Sequence, residues 1–292
     1  MEHRFFAQYP PLPGTVLEAA EVTTGPLLGR AVAMVGYGTM GRAQARNLRR
    51  SGFEVLVGVR AGSPAGGRAR ADGLAPLPVA EAVAGADVVM LMLPDTAMAS
   101  AWAADVAPHL RPGAAVGFAH GFAIAFGQVE PGPGRPCFLV APKAQGDLLQ
   151  EMHAAGGGVP GLLAATETSP PETWDLAAAY ALAVGCLSGG AFVTTFRDEC
   201  ISDQFGEQTV LCGGVIELLK AAYDVMVESG YGPENAYFEC VHELIRRGGA
   251  SFADQRHGRV RGVDPRAARD RCNGEGTDAR GAGGDRGRPL RP

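Results

Sequence analysis

His120 stands beside Gly121 in Phe118-Ala119-His120-Gly121-Phe122, where an apolar run that reads as a β-strand ends. Lys143 follows the next such run, in Val140-Ala141-Pro142-Lys143. An imidazole can exchange a proton near neutral pH, an ammonium can hold an anion, and both lie on the strand edge where open α/β sheets bind ligands. Asp203 and Glu207 are four residues apart, as are Glu239 and Glu243, so each pair shares one face of a helix. Like charges at that spacing repel. Either both faces are solvated or a cation compensates them, and oxygen-only ligands from two helices suit Mg²⁺ better than zinc. The apolar neighbours Phe205, Val210, Leu211 and Phe238 argue against purely solvated faces.

A second constellation is Gly36-Tyr37-Gly38-Thr39-Met40-Gly41. A Gly-x-Gly-x-x-Gly string is weak evidence alone, but this one follows a short apolar strand, opens a helix and precedes a second strand. In that setting Gly36 permits the tight turn, Gly38 admits a pyrophosphate to the backbone, and Gly41 allows close helix–strand packing. The second strand ends at Arg60, where an NAD site usually carries an acid. Arg60, with Ser63 and later Arg68, suits a 2′-phosphate and hence NADP; a solvated strand-end arginine is the other reading. Asp95, just past the third strand, either caps a helix or lies near the cofactor.

Hydrophobic periodicity supplies the framework for these residues. Strands are expected at Ala31–Val35, Phe53–Val59, Asp87–Leu93, Ala114–Phe118 and Cys137–Val140, with helices at Arg42–Ser51, Glu81–Ala84 and Thr173–Ala183. That alternation predicts an α/β chain whose N-terminal part is a doubly wound parallel sheet of the Rossmann type. Residues 1–29, with Pro10, Pro11, Pro13 and a helix-compatible stretch at Val16–Val22, precede it as an extension; the sheet domain covers 30–195. From 196 to 245 the pattern is helical, interrupted at Gly206 and Gly213-Gly214, which predicts a second, all-helical domain that stops short.

Composition narrows the function classes. At 46% hydrophobic and 20% charged, the 292 residues are neither collagen-like nor disordered throughout. Apolar runs such as Val88–Leu93 are too short to span a bilayer, and the first thirty residues lack a secretory pattern. Six scattered Cys without CxxC pairs fit a reducing cytoplasm. The net charge of −5 divides unevenly: residues 246–292 carry 12 Arg against 6 acids, with 10 Gly, and read as a disordered tail. The acidic remainder, and the lack of aromatics other than Phe252 among those arginines, argue against nucleic-acid binding.

Together these strings, with Leu93-Pro94-Asp95, Asp203-Gln204-Phe205-Gly206-Glu207-Gln208, Leu211-Cys212-Gly213-Gly214 and Tyr237-Phe238-Glu239-Cys240-Val241-His242-Glu243-Leu244, resemble the ketol-acid reductoisomerases over about residues 30–245. The resemblance implies an NADPH-dependent enzyme with two Mg²⁺ ions. It would act on small 2-keto/2-hydroxy acids, 2-acetolactate and 2-aceto-2-hydroxybutyrate, by alkyl migration and then reduction, in valine and isoleucine biosynthesis. It implies His120 and Lys143 as catalytic residues and Asp203, Glu207, Glu239 and Glu243 as Mg²⁺ ligands. Tyr37, Thr39, Met40, Arg60, Ser63, Asp95, Met98 and Gly146 would contact the nucleotide. A homo-oligomer, at least a dimer, is expected if the helical domain folds. Departures are Thr39-Met40, Ala65 and Ala144-Gln145-Gly146-Asp147 in place of the family's usual residues, and the Arg/Gly tail in place of its further helices. The alternative is a catalytically impaired nucleotide-binding protein or sensor.

Overall fold

The computed structural model describes residues 4–243; the Arg/Gly tail lies outside them. The strands are β1 (Val16–Leu17), β2 (Val32–Val35), β3 (Val55–Gly58), β4 (Pro76–Leu77), β5 (Val88–Leu91), β6 (Ala115–Phe118), β7 (Cys137–Pro142), β8 (Gly161–Ala165) and β9 (Ala191–Val193). The helices are α1 (Thr39–Arg50), α2 (Pro64–Ala71), α3 (Val79–Ala84), α4 (Asp95–Ala101), α5 (Phe122–Ala125), α6 (Gly146–Ala154), α7 (Thr173–Val184), α8 (Phe196–Gly206), α9 (Gly214–Glu228) and α10 (Pro233–Tyr237).

The nine strands of the described residues form one sheet in the order β1-β9-β8-β7-β6-β5-β2-β3-β4. The strands β2 to β7 run parallel, and winding reverses direction between β2 and β5, which opens a crevice at their carboxyl ends. Residues of β2, β5 and β6 are buried throughout, as a sheet covered on both faces by helices requires.

The strands expected from the sequence run parallel as the Rossmann reading requires, and the sheet extends beyond them at one end with antiparallel pairs. β8 pairs antiparallel with β7, and β1 pairs antiparallel with β9. Val16–Val22 is therefore an edge strand followed by a short 3₁₀ turn at Ala19–Glu21, not a helix, because Val16 and Leu17 complete the sheet against Phe192 and Ala191. The reversal sets the direction of the next helix. Gly161 pairs with Pro142 and Ala191 at the carboxyl rim, so β9 runs away from that rim and α8 climbs back to it.

By packing, the chain forms two compact units, the second beginning at Leu211. α8 belongs to the first because Phe196 packs edge-on against Phe118 and Glu199 is buried beneath the β6–α5 turn. In the second unit Ala236 is the one buried residue among those described, and Leu218 and Val225 on α9 are exposed. No helix of the described residues is long and apolar enough to cross a membrane.

The helical layer on one face is joined by a buried amide. Asn47 on α1 donates from Nδ2 to the Leu149 carbonyl of α6 (3.3 Å) and the Val184 carbonyl of α7 (2.9 Å). Asn47→Ala leaves both buried carbonyls short of a donor and is expected to lower stability by about 1–3 kcal/mol. Urea unfolding followed by circular dichroism measures it.

Candidate functional site

The crevice at the winding reversal is a cleft of about 770 Å³. Its wall includes Gly36 to Gly41, Arg60, Ser63, Asp95, Met98 and His120. Three glycines shape the turn as the motif requires. A Cβ on Gly36, at φ +99°, would lie 2.5 Å from the Met92 carbonyl oxygen, and one on Gly41 would lie 2.6 Å from that of Gly36. A Cβ on Gly38 would have no heavy atom within 4 Å, which leaves that backbone open to an approaching group. α1 starts directly behind it, with Gly38 as N-cap, so its unpaired amides face the cleft.

Ser63, the N-cap of α2, keeps a buried Oγ without a hydrogen-bond partner. A buried hydroxyl without a partner is costly, and an acceptor from a ligand would satisfy it. With Arg60 also in the wall, these residues fit a nucleotide that carries a phosphate beyond its pyrophosphate. Arg68 is in the wall too, and its Nε and Nη2 donate to the Tyr37 carbonyl at 3.3 and 3.1 Å. Tyr37 offers the cleft its backbone, since its side chain is 1% exposed and its hydroxyl donates to Asp72. Asp95 is not the cap of α4, a position taken by Pro94; it sits in the first turn facing the cleft. Gly146 lies against Thr39, where a Cβ would come within 2.7 Å of the carbonyl oxygen, so its missing side chain lets α6 abut α1.

Beside the cleft is a charged cluster. His120 Nδ1 is 3.2 Å from Glu199 Oε2 and 3.6 Å from Asp203 Oδ2. Lys143 Nζ is 3.0 Å from both Glu199 Oε1 and Asp203 Oδ1, and the Gly121 amide donates to Glu199 Oε2 at 2.7 Å. The Cys200 thiol lies 4.0 Å from His120 Nε2. Hydrogen bonding to Glu199 raises the His120 pKa, against the lowering that partial burial brings. Burial alone would lower Lys143, but the two carboxylates outweigh it and hold the ammonium above its usual value. Burial would likewise raise Glu199, yet its bonds to His120 and Lys143 keep it below the ordinary carboxylate value. Glu199, seconded by Asp203, thus favours the protonated forms of both His120 and Lys143.

The structure therefore brings together His120, Lys143 and Asp203, and adds Glu199, which sequence reasoning misses. The signal is present: Glu199, Asp203 and Glu207 recur every four residues. Glu207 follows one turn above Asp203 and is exposed; its amide bonds back to the Asp203 carbonyl, which continues the helical path. Glu239 and Glu243 belong to the second unit, in the turns after α10. Ligand atoms of His120, Glu199 and Asp203 lie within 4.8 Å of one another, a donor set compatible with a divalent cation.

Family models match along most of this architecture. Residues 26–190 match the acetohydroxy acid isomeroreductase NADPH-binding domain, and residues 196–247 match the ketol-acid reductoisomerase C-terminal domain. A ketol-acid reductoisomerase (NADP(+)) of Bifidobacterium longum is 49% identical over 216 residues, which are 74% of this chain and 62% of that protein. The chain therefore spans under two thirds of that relative's length. An NADH-preferring ketol-acid reductoisomerase from an uncultured archaeon superposes with a TM-score of 0.75 at 34% identity, covering 89% of this chain and 82% of the other. A semialdehyde dehydrogenase NAD-binding protein from Cupriavidus necator shares the fold, with a TM-score of 0.59 at 23% identity over 84% and 91% of the two chains.

Because Glu199 holds up the pKa of His120, Glu199→Gln is expected to move the His120 titration midpoint downward, read by NMR of the imidazole resonances. The same change leaves Lys143 facing a neutral amide and is expected to lower stability by about 1–3 kcal/mol.

Proposed function

Since the chain belongs to the ketol-acid reductoisomerase family, we propose that it catalyses alkyl migration in 2-acetolactate or 2-aceto-2-hydroxybutyrate, followed by reduction with NADPH. One observation carries the reading. His120 lies both in the wall of the nucleotide cleft and in the Glu199–Asp203–Lys143 cluster, so a small molecule held by the cluster meets whatever the cleft presents.

Arg60 and the unpartnered Ser63 hydroxyl support NADPH over NADH. Asp203 and Glu207 would hold Mg²⁺, which when bound supplies Lewis-acid polarisation of the substrate oxygens, and the family resemblance gives Glu239 and Glu243 the same role. The protein's own groups do the rest. Lys143, its ammonium held above its usual value, attracts and orients a carboxylate substrate beside His120, whose own pKa the neighbouring carboxylates raise. Glu199 fixes the imidazole at Nδ1 and leaves Nε2 as the atom able to pass a proton to substrate oxygen. Burial of Glu199 keeps water from competing for these bonds.

The reading also includes a homo-oligomer, at least a dimer, in the cytoplasm. Its support is the second unit, where Leu218 and Val225, seven residues apart on one face of α9, are 69% and 61% exposed. Among the described residues nothing covers that face, and an apolar face of this kind suits a partner surface.

NADPH consumption with 2-acetolactate and Mg²⁺ tests the proposal. Turnover is expected, with a fall of roughly a hundredfold or more in Glu207→Gln if that carboxylate holds the metal. Folded protein, oligomeric by light scattering, that binds NADPH tightly without turnover in Mg²⁺ would favour the impaired nucleotide-binding protein instead.

A further inference from the structure

Asp72 occupies an electrostatically poor position. It caps the carboxyl end of α2, where the helix dipole disfavours an anion, and its side chain is 7% exposed. α1 compensates with arginine. Arg42 binds the carboxylate through both oxygens, Nε to Oδ2 at 2.6 Å and Nη2 to Oδ1 at 2.8 Å. Arg46 stands 3.8 Å from Oδ1, and Arg49 donates to the Asp72 backbone carbonyl at 3.1 Å. Tyr37 completes the set, its hydroxyl donating to Oδ2 at 3.0 Å. The bonds from Arg42, opposed by burial and assisted by Tyr37, hold the carboxyl below its ordinary pKa.

Tyr37 is the second residue of the glycine turn, so this anion reaches the phosphate-binding backbone from behind. Arg68, one turn earlier on α2, grips the Tyr37 carbonyl from the other side. The turn and α2 are thus joined twice, through one residue. α2 is a rod about 12 Å long, and its opposite end starts at Ser63, next to Arg60 in the cleft wall. Gly66 and Gly67 weaken it intrinsically, so external ties set its position.

We propose that Asp72 is a positioning residue for coenzyme selection: by anchoring the far end of α2 to the glycine turn, it fixes the distance from the pyrophosphate site to Arg60 and Ser63. NADPH affinity depends on that distance because the 2′-phosphate must reach Arg60 and Ser63 while the pyrophosphate sits on the turn. NADH makes no such second demand. The inference rests on the NADPH reading above.

Dissociation constants for NADPH and NADH, from nicotinamide fluorescence on the intact chain, test it in wild type, Asp72→Asn, Asp72→Ala and Tyr37→Phe. The wild type is expected to prefer NADPH. Both Asp72 variants are expected to weaken NADPH by about tenfold and NADH by less than about threefold, with KM for NADPH raised and kcat at saturating NADPH nearly unchanged. Tyr37→Phe, which removes one bond and no charge, keeps the test open should Asp72→Ala fail to fold; it is expected to shift the ratio by about threefold in the same sense. An unchanged NADPH-to-NADH ratio in folded Asp72→Asn and Tyr37→Phe, or an equal loss for both coenzymes, overturns the proposal. A wild type without preference for NADPH refutes the coenzyme reading itself, and this inference with it.

Discussion

A single buried carboxylate, that of Glu199, organises the site. Removing a charge from water costs several kcal/mol, and such a group persists only where donors replace its hydration. Here the Gly121 amide, the His120 imidazole and the Lys143 ammonium do so, and they come from the ends of two neighbouring strands. The interaction therefore fixes α8 to the rim of the sheet and holds the two cationic side chains at set positions. Gly121 is part of the same constraint: any side chain there would collide with the Phe196 carbonyl and lift α8 from its seat.

Much of this is legible in the sequence, for reasons that can be named. The strands β2, β5, β6 and β7 are continuous apolar runs because helices cover both faces, and such runs stand out. The glycine turn is readable because Gly36 and Gly41 sit where backbone must pass within contact of backbone, a demand that leaves little choice of residue. Arg60 and Ser63 follow from their place after β3. By contrast, β8 reads Gly-Leu-Leu-Ala-Ala, with no β-branched residue, and β1 has two residues; their pairing comes from neighbours remote in sequence, which no local pattern encodes.

The differences among site residues have the same origin. Arg68 has the charge expected of a phosphate ligand, yet the Tyr37 carbonyl, 31 residues earlier in the chain, captures its guanidinium. Glu199 is an ordinary acid in a helix's first turn until the fold places the β6–α5 turn over it. Apolar positions on α9 do form one face of a helix, and the described residues of the second unit bury none of them.

The reversal of direction at β8 has a consequence for solvation. Because α8 rises toward the rim, its carboxylates at 199, 203 and 207 are spaced about 6 Å apart along the helix axis and sample three dielectric regimes: side chains 1% and 31% exposed, then one in open solvent. One functional group repeated three times thereby acquires three characters, a rigid counter-ion at depth, a shared contact at the boundary and a solvated acid at the mouth. Helical pitch alone, laid across the water boundary, has turned a monotonous string of acids into a graded one.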